Sequence, residues 1–196
     1  MQLCEKLLTI YTAAGAHAYF GESVTTLEHS LQTAHHARLA NASNALILAA
    51  LLHDIGHLIE SAPADFADWA LDARHEESGG RWLAAHFPAD ISEPVRLHVA
   101  AKRYLCAKEP RYAGRLSDAS VRTLQLQGGP MSPAEAAGFE SNAYWRDAIR
   151  LREWDDCAKV AGLRTPQFAD YGELIEAFGG AIAGNSLPSE RHDSAN

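Results

Sequence analysis

Residues 45 to 57 read Ala-Leu-Ile-Leu-Ala-Ala-Leu-Leu-His-Asp-Ile-Gly-His, and this stretch predicts the centre of the fold. Ser43 offers a helix N-cap, and the sequence predicts a helix from Asn44 to about Glu60. A helix that is apolar on nearly every side is buried at the centre of a domain. His53 and Asp54 lie on it, and burying two such polar groups without partners would cost several kcal/mol. The core must therefore contain a partner for them.

The amino-acid composition predicts an all-α fold. Alanine occurs 36 times, whereas valine and isoleucine together occur 13 times, which favours helices over strands. Helical spacing predicts helices over about residues 3–15, 25–40, 44–60, 73–86, 94–106, 119–127 and 142–161, with a further short turn after Ser132 and Pro133. The chain has the length of one domain, so we expect one bundle over residues 1–184 and a polar tail at 185–196.

Charge and hydropathy argue against two classes of partner. The net charge is −8 and no Lys/Arg-rich run occurs, which disfavours nucleic acid. The longest apolar run, residues 45–52, is too short to cross a bilayer, and Glu5 and Lys6 interrupt the place where a signal peptide would be apolar. Three widely separated cysteines fit a reducing compartment. We expect a cytoplasmic protein with neither a nucleic-acid nor a membrane partner.

Four histidines recur at nearly constant intervals of 24, 22 and 23 residues, the length of one helix and one connection. Antiparallel helices of a bundle can bring such residues to one level. The four are His29, His53, His75 and His98. A carboxylate from a later helix, Asp155 or Asp156, would complete the set.

Imidazoles and carboxylates without thiolates suit divalent metals such as iron, manganese, zinc or nickel. Asp54 has two carboxylate oxygens and can bridge two ions, which predicts a dinuclear site. One ion would have His29, His53 and Asp155 as ligands, and the other would have His75 and His98. A single buried histidine is more often a hydrogen-bonded core residue, so this prediction depends on the four occurring together. The histidines without this context are expected at the surface or in ordinary packing: His17, His35, His36, His86 and His192.

Residues one helical turn from the predicted ligands share their faces. They are His57, Lys102 and Arg152. Each has an ordinary alternative, as a core residue, a surface lysine or a structural salt bridge. Two cations beside a metal site suggest an anionic substrate, and Ser120 offers either a phosphate contact or a plain helix cap.

Longer motifs resemble a known family. The pattern H…HD…D of the HD-domain superfamily is met by His29, His53-Asp54 and Asp155. Several stretches closely resemble the smaller branch of mixed-valent di-iron oxygenases that cleave the carbon-phosphorus bond of 1-hydroxy-2-aminoethylphosphonates, relatives of myo-inositol oxygenase. The stretches are Tyr-Phe-Gly-Glu at 19–22, Leu-Glu-His-Ser-Leu-Gln at 27–32, Ala-Ala-Leu-Leu-His-Asp-Ile-Gly-His at 49–57, Arg-His-Glu at 74–76, His-Val-Ala-Ala-Lys-Arg-Tyr-Leu at 98–105, Leu-Ser-Asp-Ala-Ser at 116–120, Gln-Gly-Gly-Pro-Met at 127–131 and Arg-Glu-Trp-Asp at 152–155.

The resemblance implies an HD-domain helical bundle that holds one Fe(II) and one Fe(III) and uses O2 as co-substrate. It assigns the iron ligands His29, His53, Asp54, His75, His98 and Asp155. It assigns substrate binding to Gln32, Lys102, Ser120 and Arg152. It gives catalytic roles to His57 in the pocket wall and to Tyr19 and Glu22 on a mobile loop, where Tyr19 can occupy the metal before substrate arrives and Glu22 helps to sense the amine.

The implied reaction releases phosphate from a 1-hydroxy-2-(amino or trimethylammonio)ethylphosphonate and leaves glycine or glycine betaine. Phe66 and Trp69, on a predicted lid at residues 61–72, would either contact a trimethylammonium group or merely anchor the loop. Two other functions fit the motifs. The HD pair alone also permits a metal-dependent hydrolase of nucleotides or phosphate esters, and a non-enzymatic binding module would retain the same bundle.

Overall fold

The computed structural model describes residues 2–13, 15, 16, 19, 21–59 and 75–183. Within these ranges the chain forms ten α-helices and two short 3-10 helices, which confirms the predicted all-α class. The α-helices are α1 (Leu3–Ala13), α2 (Thr26–Leu39), α3 (Asn44–Leu52), α4 (Ile55–Ile59), α5 (His75–Ala84), α6 (Ala89–Lys108), α7 (Asp118–Leu126), α8 (Pro133–Glu140), α9 (Trp145–Cys157) and α10 (Gly172–Ala183). The 3-10 helices are Ala113–Arg115 and Phe168–Tyr171.

Helix α3 is the centre of the bundle. Every residue from Ala45 to Leu52 is buried, and the helix packs against α2, α6, α9 and α10. Four neighbours around one short helix explain why its sequence has no polar face. None of the helices in the described ranges is long and apolar enough to span a membrane.

The predicted single helix over residues 44–60 is wrong, because it breaks at His53 and Asp54 into α3 and α4. An uninterrupted helix would pair the carbonyls of residues 50 and 51 with the N–H groups four residues later. Instead the His53 ring nitrogen Nδ1 lies 2.9 Å from the Ala50 carbonyl oxygen, and the Tyr11 hydroxyl donates to the Leu51 carbonyl at 3.0 Å. These side chains occupy the acceptors that would have continued the helix.

Three glycines allow α4, α5 and α6 to pack closely. A Cβ on Gly56 would lie 2.0 Å from the His75 carbonyl oxygen, and one on Gly80 would lie 2.8 Å from the Arg96 Cβ. A Cβ on Gly79 would come within 3.1 Å of the Gly56 backbone nitrogen. Gly79 and Gly80 weaken the helix prediction locally, yet the approach of neighbouring backbone accounts for their presence.

Other helix boundaries follow the cap residues. The capping box of Thr25 with Glu28 begins α2, Ser117 caps α7, and Ser132 with Pro133 begins α8. The predicted start near Pro94 is wrong: α6 begins at Ala89 after an N-cap at Pro88, and Pro94 lies inside the helix. The helix tolerates Pro94 at this position but loses the one intrahelical hydrogen bond that an N–H there would donate.

The last predicted helix is shorter at both ends and runs over Trp145–Cys157. Before it, the Asn142 side chain accepts from the Tyr144 N–H at 2.8 Å in a turn. Helix α10, which packs on α1 and α3, had no counterpart among the predictions. The single-domain boundary at residue 184 stays a prediction. Residues 61–72 with Phe66 and Trp69, and the tail at 185–196, lie outside the described residues.

Gly56→Ala is expected to lower the free energy of unfolding by about 2 kcal/mol, because the added methyl group overlaps backbone atoms that cannot rotate away. Chemical denaturation followed by circular dichroism measures the change. Gly138→Ala is the matched control, since a Cβ there meets nothing within 4 Å and alanine favours the helix. Equal stability of the two variants would contradict the close-packing explanation.

Candidate metal centre

The Asp54 carboxylate lies between two pairs of imidazoles. Its Oδ2 is 3.3 Å from His53 Nε2 and 3.6 Å from His29 Nε2. Its Oδ1 is 3.7 Å from His75 Nε2 and 3.8 Å from His98 Nε2. Both groups, each with Asp54 as the shared member, have their ligand atoms close enough for one metal ion, and all five residues are buried. The structure thus brings together the four histidines that the sequence predicted to meet.

Hydrogen bonds to backbone carbonyls orient three of the rings. Nδ1 lies 2.8 Å from the Ala158 oxygen in His29, and 2.6 Å from the Val95 oxygen in His98. The His53 ring makes the same kind of contact to the Ala50 oxygen. A carbonyl only accepts, so Nδ1 carries the proton in each neutral ring and Nε2 presents a lone pair.

The lone pairs of His29 and His53 face each other, because their Nε2 atoms are 3.1 Å apart. The Nε2 atoms of His75 and His98 are 3.2 Å apart. Two acceptors at such a distance need a cation between them. Ligands that bind an ion at about 2.1 Å and at right angles are separated by about 3.0 Å, which fits both pairs. Asp54 Oδ2 is buried and has no hydrogen-bond partner, as expected of an atom that binds a metal.

The protonation states also suit a metal. Burial alone would raise the pKa of the Asp54 carboxyl, but the surrounding imidazoles hold this pKa below its usual value. Burial lowers the pKa of His53, and it lowers the pKa of His98 to about 4. An ionised carboxylate and neutral imidazoles are the forms that bind transition metals.

The structure separates the two candidate aspartates. Asp155 is buried, and its Oδ1 lies 3.3 Å from His29 Nε2. Its Oδ2 pairs with Arg152 Nη1 at 2.8 Å. Asp156 instead pairs with Arg152 Nη2 and accepts from the Tyr112 hydroxyl. Asp155 is therefore the aspartate that faces the histidines, and it is the one that the motif resemblance favoured; its role as a metal ligand stays a prediction.

A cavity of about 70 Å³ opens beside the imidazoles. Its wall includes the predicted substrate-binding residues Lys102, Ser120 and Arg152. The Lys102 side chain is only 2% exposed and donates to the Thr123 hydroxyl at 2.8 Å. Burial, followed by the nearby Arg152 charge, lowers the pKa of Lys102 to about 7. Because the Thr123 hydroxyl is neutral, an anion bound in the cavity would stabilise the buried Lys102 ammonium further.

Lys159 is a pocket residue that the sequence reasoning missed. Its Nζ lies 3.1 Å from the hydroxyls of both Ser117 and Ser120, and 3.3 Å from Glu22 Oε1. It follows Asp155 by four residues, the spacing that pointed to Lys102 after His98. The same rule, applied four residues after Asp155 as it was after His98, would have identified Lys159.

The remaining predicted site residues divide into two groups. Tyr19, Glu22 and His57 line the cavity. The Tyr19 ring stacks on His29 with centroids 3.9 Å apart, and burial with the nearby carboxylates raises the pKa of Tyr19. The His57 ring stacks on His75 at 3.8 Å. Gln32 does not line this cavity, so its contact with substrate stays a prediction. Its side-chain amide donates to the Val160 carbonyl at 2.8 Å and accepts from the Val160 N–H at 3.0 Å.

The histidines that were expected outside the site lie outside it, where the structure describes them. His86 stacks on Trp82 with centroids 4.1 Å apart, and His35 neighbours His36 on α2. Neither group of potential metal ligands includes any of the three. His17 and His192 fall outside the described residues.

The chain is similar to known proteins over most of its length. The HD domain family model matches residues 26–124. A hydroxymethylphosphonate dioxygenase from Gimesia maris is 43% identical over 176 residues, which is 88% of each chain. A glycine-betaine-forming [1-hydroxy-2-(trimethylamino)ethyl]phosphonate dioxygenase from Leisingera caerulea is 42% identical over 167 residues, 85% of each chain. An uncharacterised protein of Acanthamoeba polyphaga mimivirus is 38% identical over 177 residues, 89% of this chain and 81% of its own.

The bridging position of Asp54 predicts how metal content changes in variants. Asp54→Ala is expected to lose both ions, whereas His98→Ala should retain about one ion per chain, because each histidine pair serves one position. Elemental analysis after anaerobic loading and desalting measures the stoichiometry. His86→Ala, which removes a histidine outside the cluster, is the control. Full metal content in Asp54→Ala would rule out a bridging carboxylate.

Proposed function

The chain belongs to the HD-domain oxygenase family, and from this membership and the site we propose that it uses O2 to cleave the carbon-phosphorus bond of a 1-hydroxyphosphonate. The observation that carries the proposal is the position of two imidazole pairs around Asp54 beside a cavity with three cationic side chains. The two groups of potential metal ligands would hold the ions that an O2-dependent oxidation needs, and the cations would pair with a phosphonate dianion. The two named relatives act on such phosphonates.

The reaction balances without an external reductant. One 1-hydroxyphosphonate and one O2 give one carboxylic acid and one phosphate: the C1–H and C–P bonds break, and C1 is oxidised to the carboxyl level. Two iron ions, Fe(II) and Fe(III), would be held by His29, His53, Asp54 and Asp155 on one side and by Asp54, His75 and His98 on the other. Bound there, they would supply the activation of O2.

The protein contributes an anion site next to the metals. Lys102, Arg152 and Lys159 meet the phosphonate oxygens, with the Ser120 hydroxyl between the last two. Arginine and lysine charges at a buried site bind phosphate-like groups strongly. The anion would then hold C1 and its hydroxyl against the Asp54 side of the cavity.

Glu22 supports a cationic group at C2 of the substrate. Its carboxylate lines the same cavity and is held by Lys159 at 3.3 Å. When a phosphonate takes Lys159 as a partner, Glu22 is left to meet an ammonium group. We therefore favour the 2-amino or 2-trimethylammonio substrate, with glycine or glycine betaine as product.

We also propose a location in the cytoplasm. All three cysteines are free, which fits a reducing compartment.

The decisive experiment measures phosphate release by anaerobically iron-loaded protein with and without O2. A panel of hydroxymethyl-, 2-amino-1-hydroxyethyl- and 1-hydroxy-2-(trimethylammonio)ethylphosphonate is expected to release phosphate only with O2, fastest from one of the two cationic substrates. Phosphate release that does not depend on O2 would instead support the hydrolase alternative. Equal rates for hydroxymethylphosphonate would argue against the role of Glu22.

Lys159→Met is expected to raise KM about tenfold, because it removes a charged hydrogen bond to the phosphonate while leaving the predicted metal ligands in place. Steady-state kinetics on the preferred substrate measure the change. Lys108→Met is the matched control, since Lys108 does not line the cavity and instead pairs with exposed Glu140 at 3.2 Å and lies over the Tyr104 ring. An unchanged KM in Lys159→Met would remove this lysine from the anion site.

A further inference from the structure

Arg152 is held from behind by two residues that do not line the cavity. Its Nε donates to the Tyr112 hydroxyl at 3.2 Å, and its Nη2 donates to Asp156 Oδ1. The Tyr112 hydroxyl in turn donates to Asp156 Oδ2. The three side chains thus form a closed set of hydrogen bonds, in which the guanidinium meets a neutral acceptor and a carboxylate that are bonded to each other.

Arg152 also lines the cavity beside the imidazoles. A guanidinium has five N–H donors, and Tyr112, Asp156 and Asp155 take one each. The second N–H of Nη2 donates to the Ser120 hydroxyl at 3.5 Å, a long contact that an anion in the cavity can replace, and Ser120 lines that cavity. The second N–H of Nη1 takes no part in these contacts. Two N–H groups on neighbouring nitrogens are what a phosphonate needs for a two-point contact.

Tyr112 and Asp156 come from separate parts of the fold. Tyr112 is buried at the start of the 3-10 helix Ala113–Arg115, in the connection between α6 and α7. Asp156 lies near the end of α9, one turn after Arg152. Burial raises the pKa of Tyr112, so its hydroxyl keeps the proton that it donates. A contact across these elements fixes χ angles that a long arginine side chain would otherwise sample.

We propose that Tyr112 and Asp156 are positioning residues that hold the Arg152 guanidinium in the orientation that binds the phosphonate. Asp156 would therefore act only through Arg152, whereas its neighbour Asp155 contacts both Arg152 and His29. This inference rests on the proposed function only in taking a phosphonate as the ligand of Arg152.

The test measures binding of inorganic phosphate, the reaction product, to the iron-loaded protein by calorimetry under anaerobic conditions. Tyr112→Phe removes one hydroxyl, and Asp156→Asn removes one charge with little change of shape. Tyr104→Phe is the matched control, because the Tyr104 hydroxyl also donates to a carboxylate, Glu140 at 2.7 Å, but on the exposed side of α6. Thermal melting and iron content are measured for every variant.

Tyr112→Phe and Asp156→Asn are each expected to raise the phosphate Kd about fivefold to tenfold with unchanged iron content, while Tyr104→Phe stays within about twofold of the unaltered protein. KM for the hydroxyphosphonate should rise by a similar factor and kcat should change less. Since the two residues act through one guanidinium, the double variant should bind phosphate about as weakly as the weaker single variant.

Phosphate affinity equal to that of Tyr104→Phe would overturn the inference, as would a loss of iron that accompanies the loss of affinity. If Tyr112→Phe does not fold, Asp156→Asn decides the question by the same criteria. No phosphate binding by the unaltered protein would overturn the anion site and this inference together. Intact phosphate binding with O2-independent turnover would overturn only the proposed reaction.

Discussion

A buried carboxylate faced by imidazole lone pairs is the constraint on which the rest of this structure depends. Each Asp54 oxygen has two imidazole Nε2 atoms near it, at 3.3 and 3.6 Å from Oδ2 and at 3.7 and 3.8 Å from Oδ1, and the Nε2 atoms of each imidazole pair lie 3.1 or 3.2 Å apart. Without a cation, the arrangement places acceptor against acceptor in a region of low dielectric constant. Metal binding resolves that conflict, and the surrounding helices can be understood as the means by which these side chains are made to converge.

The break between α3 and α4 lies at His53 and Asp54, where these side chains converge. It depends on Tyr11, which is 40 residues away from the carbonyl to which it donates. The small residues Gly56 and Gly79 then allow α5 to approach α4, which brings His75 towards Asp54. The polar pair thus enters the core at a point where the backbone already departs from helical hydrogen bonding.

The sequence predicted the all-α class, the buried central helix and the four histidines because these follow from periodicity and spacing. It did not predict the break at His53, because a helix pattern has no sign of a distant tyrosine that competes for a carbonyl. The start of α6 was misplaced because Pro94 suits a first turn, while the cap at Pro88 leaves no side-chain signal. Asp155 and Asp156 differ in their surroundings and not in their chemistry, so only the motif resemblance favoured one. Their contacts in the structure show which of them faces the histidines.

Lys159 lies between two anchored neighbours. The Ala158 carbonyl meets the His29 ring, and the Val160 backbone is bound in both directions by Gln32. Fixing the backbone of one residue costs about 1–2 kcal/mol of conformational entropy. Here that cost is met when the chain folds, so the ammonium group is presented from a rigid segment beyond the end of α9, and only its own side-chain torsions remain to be ordered when an anion arrives.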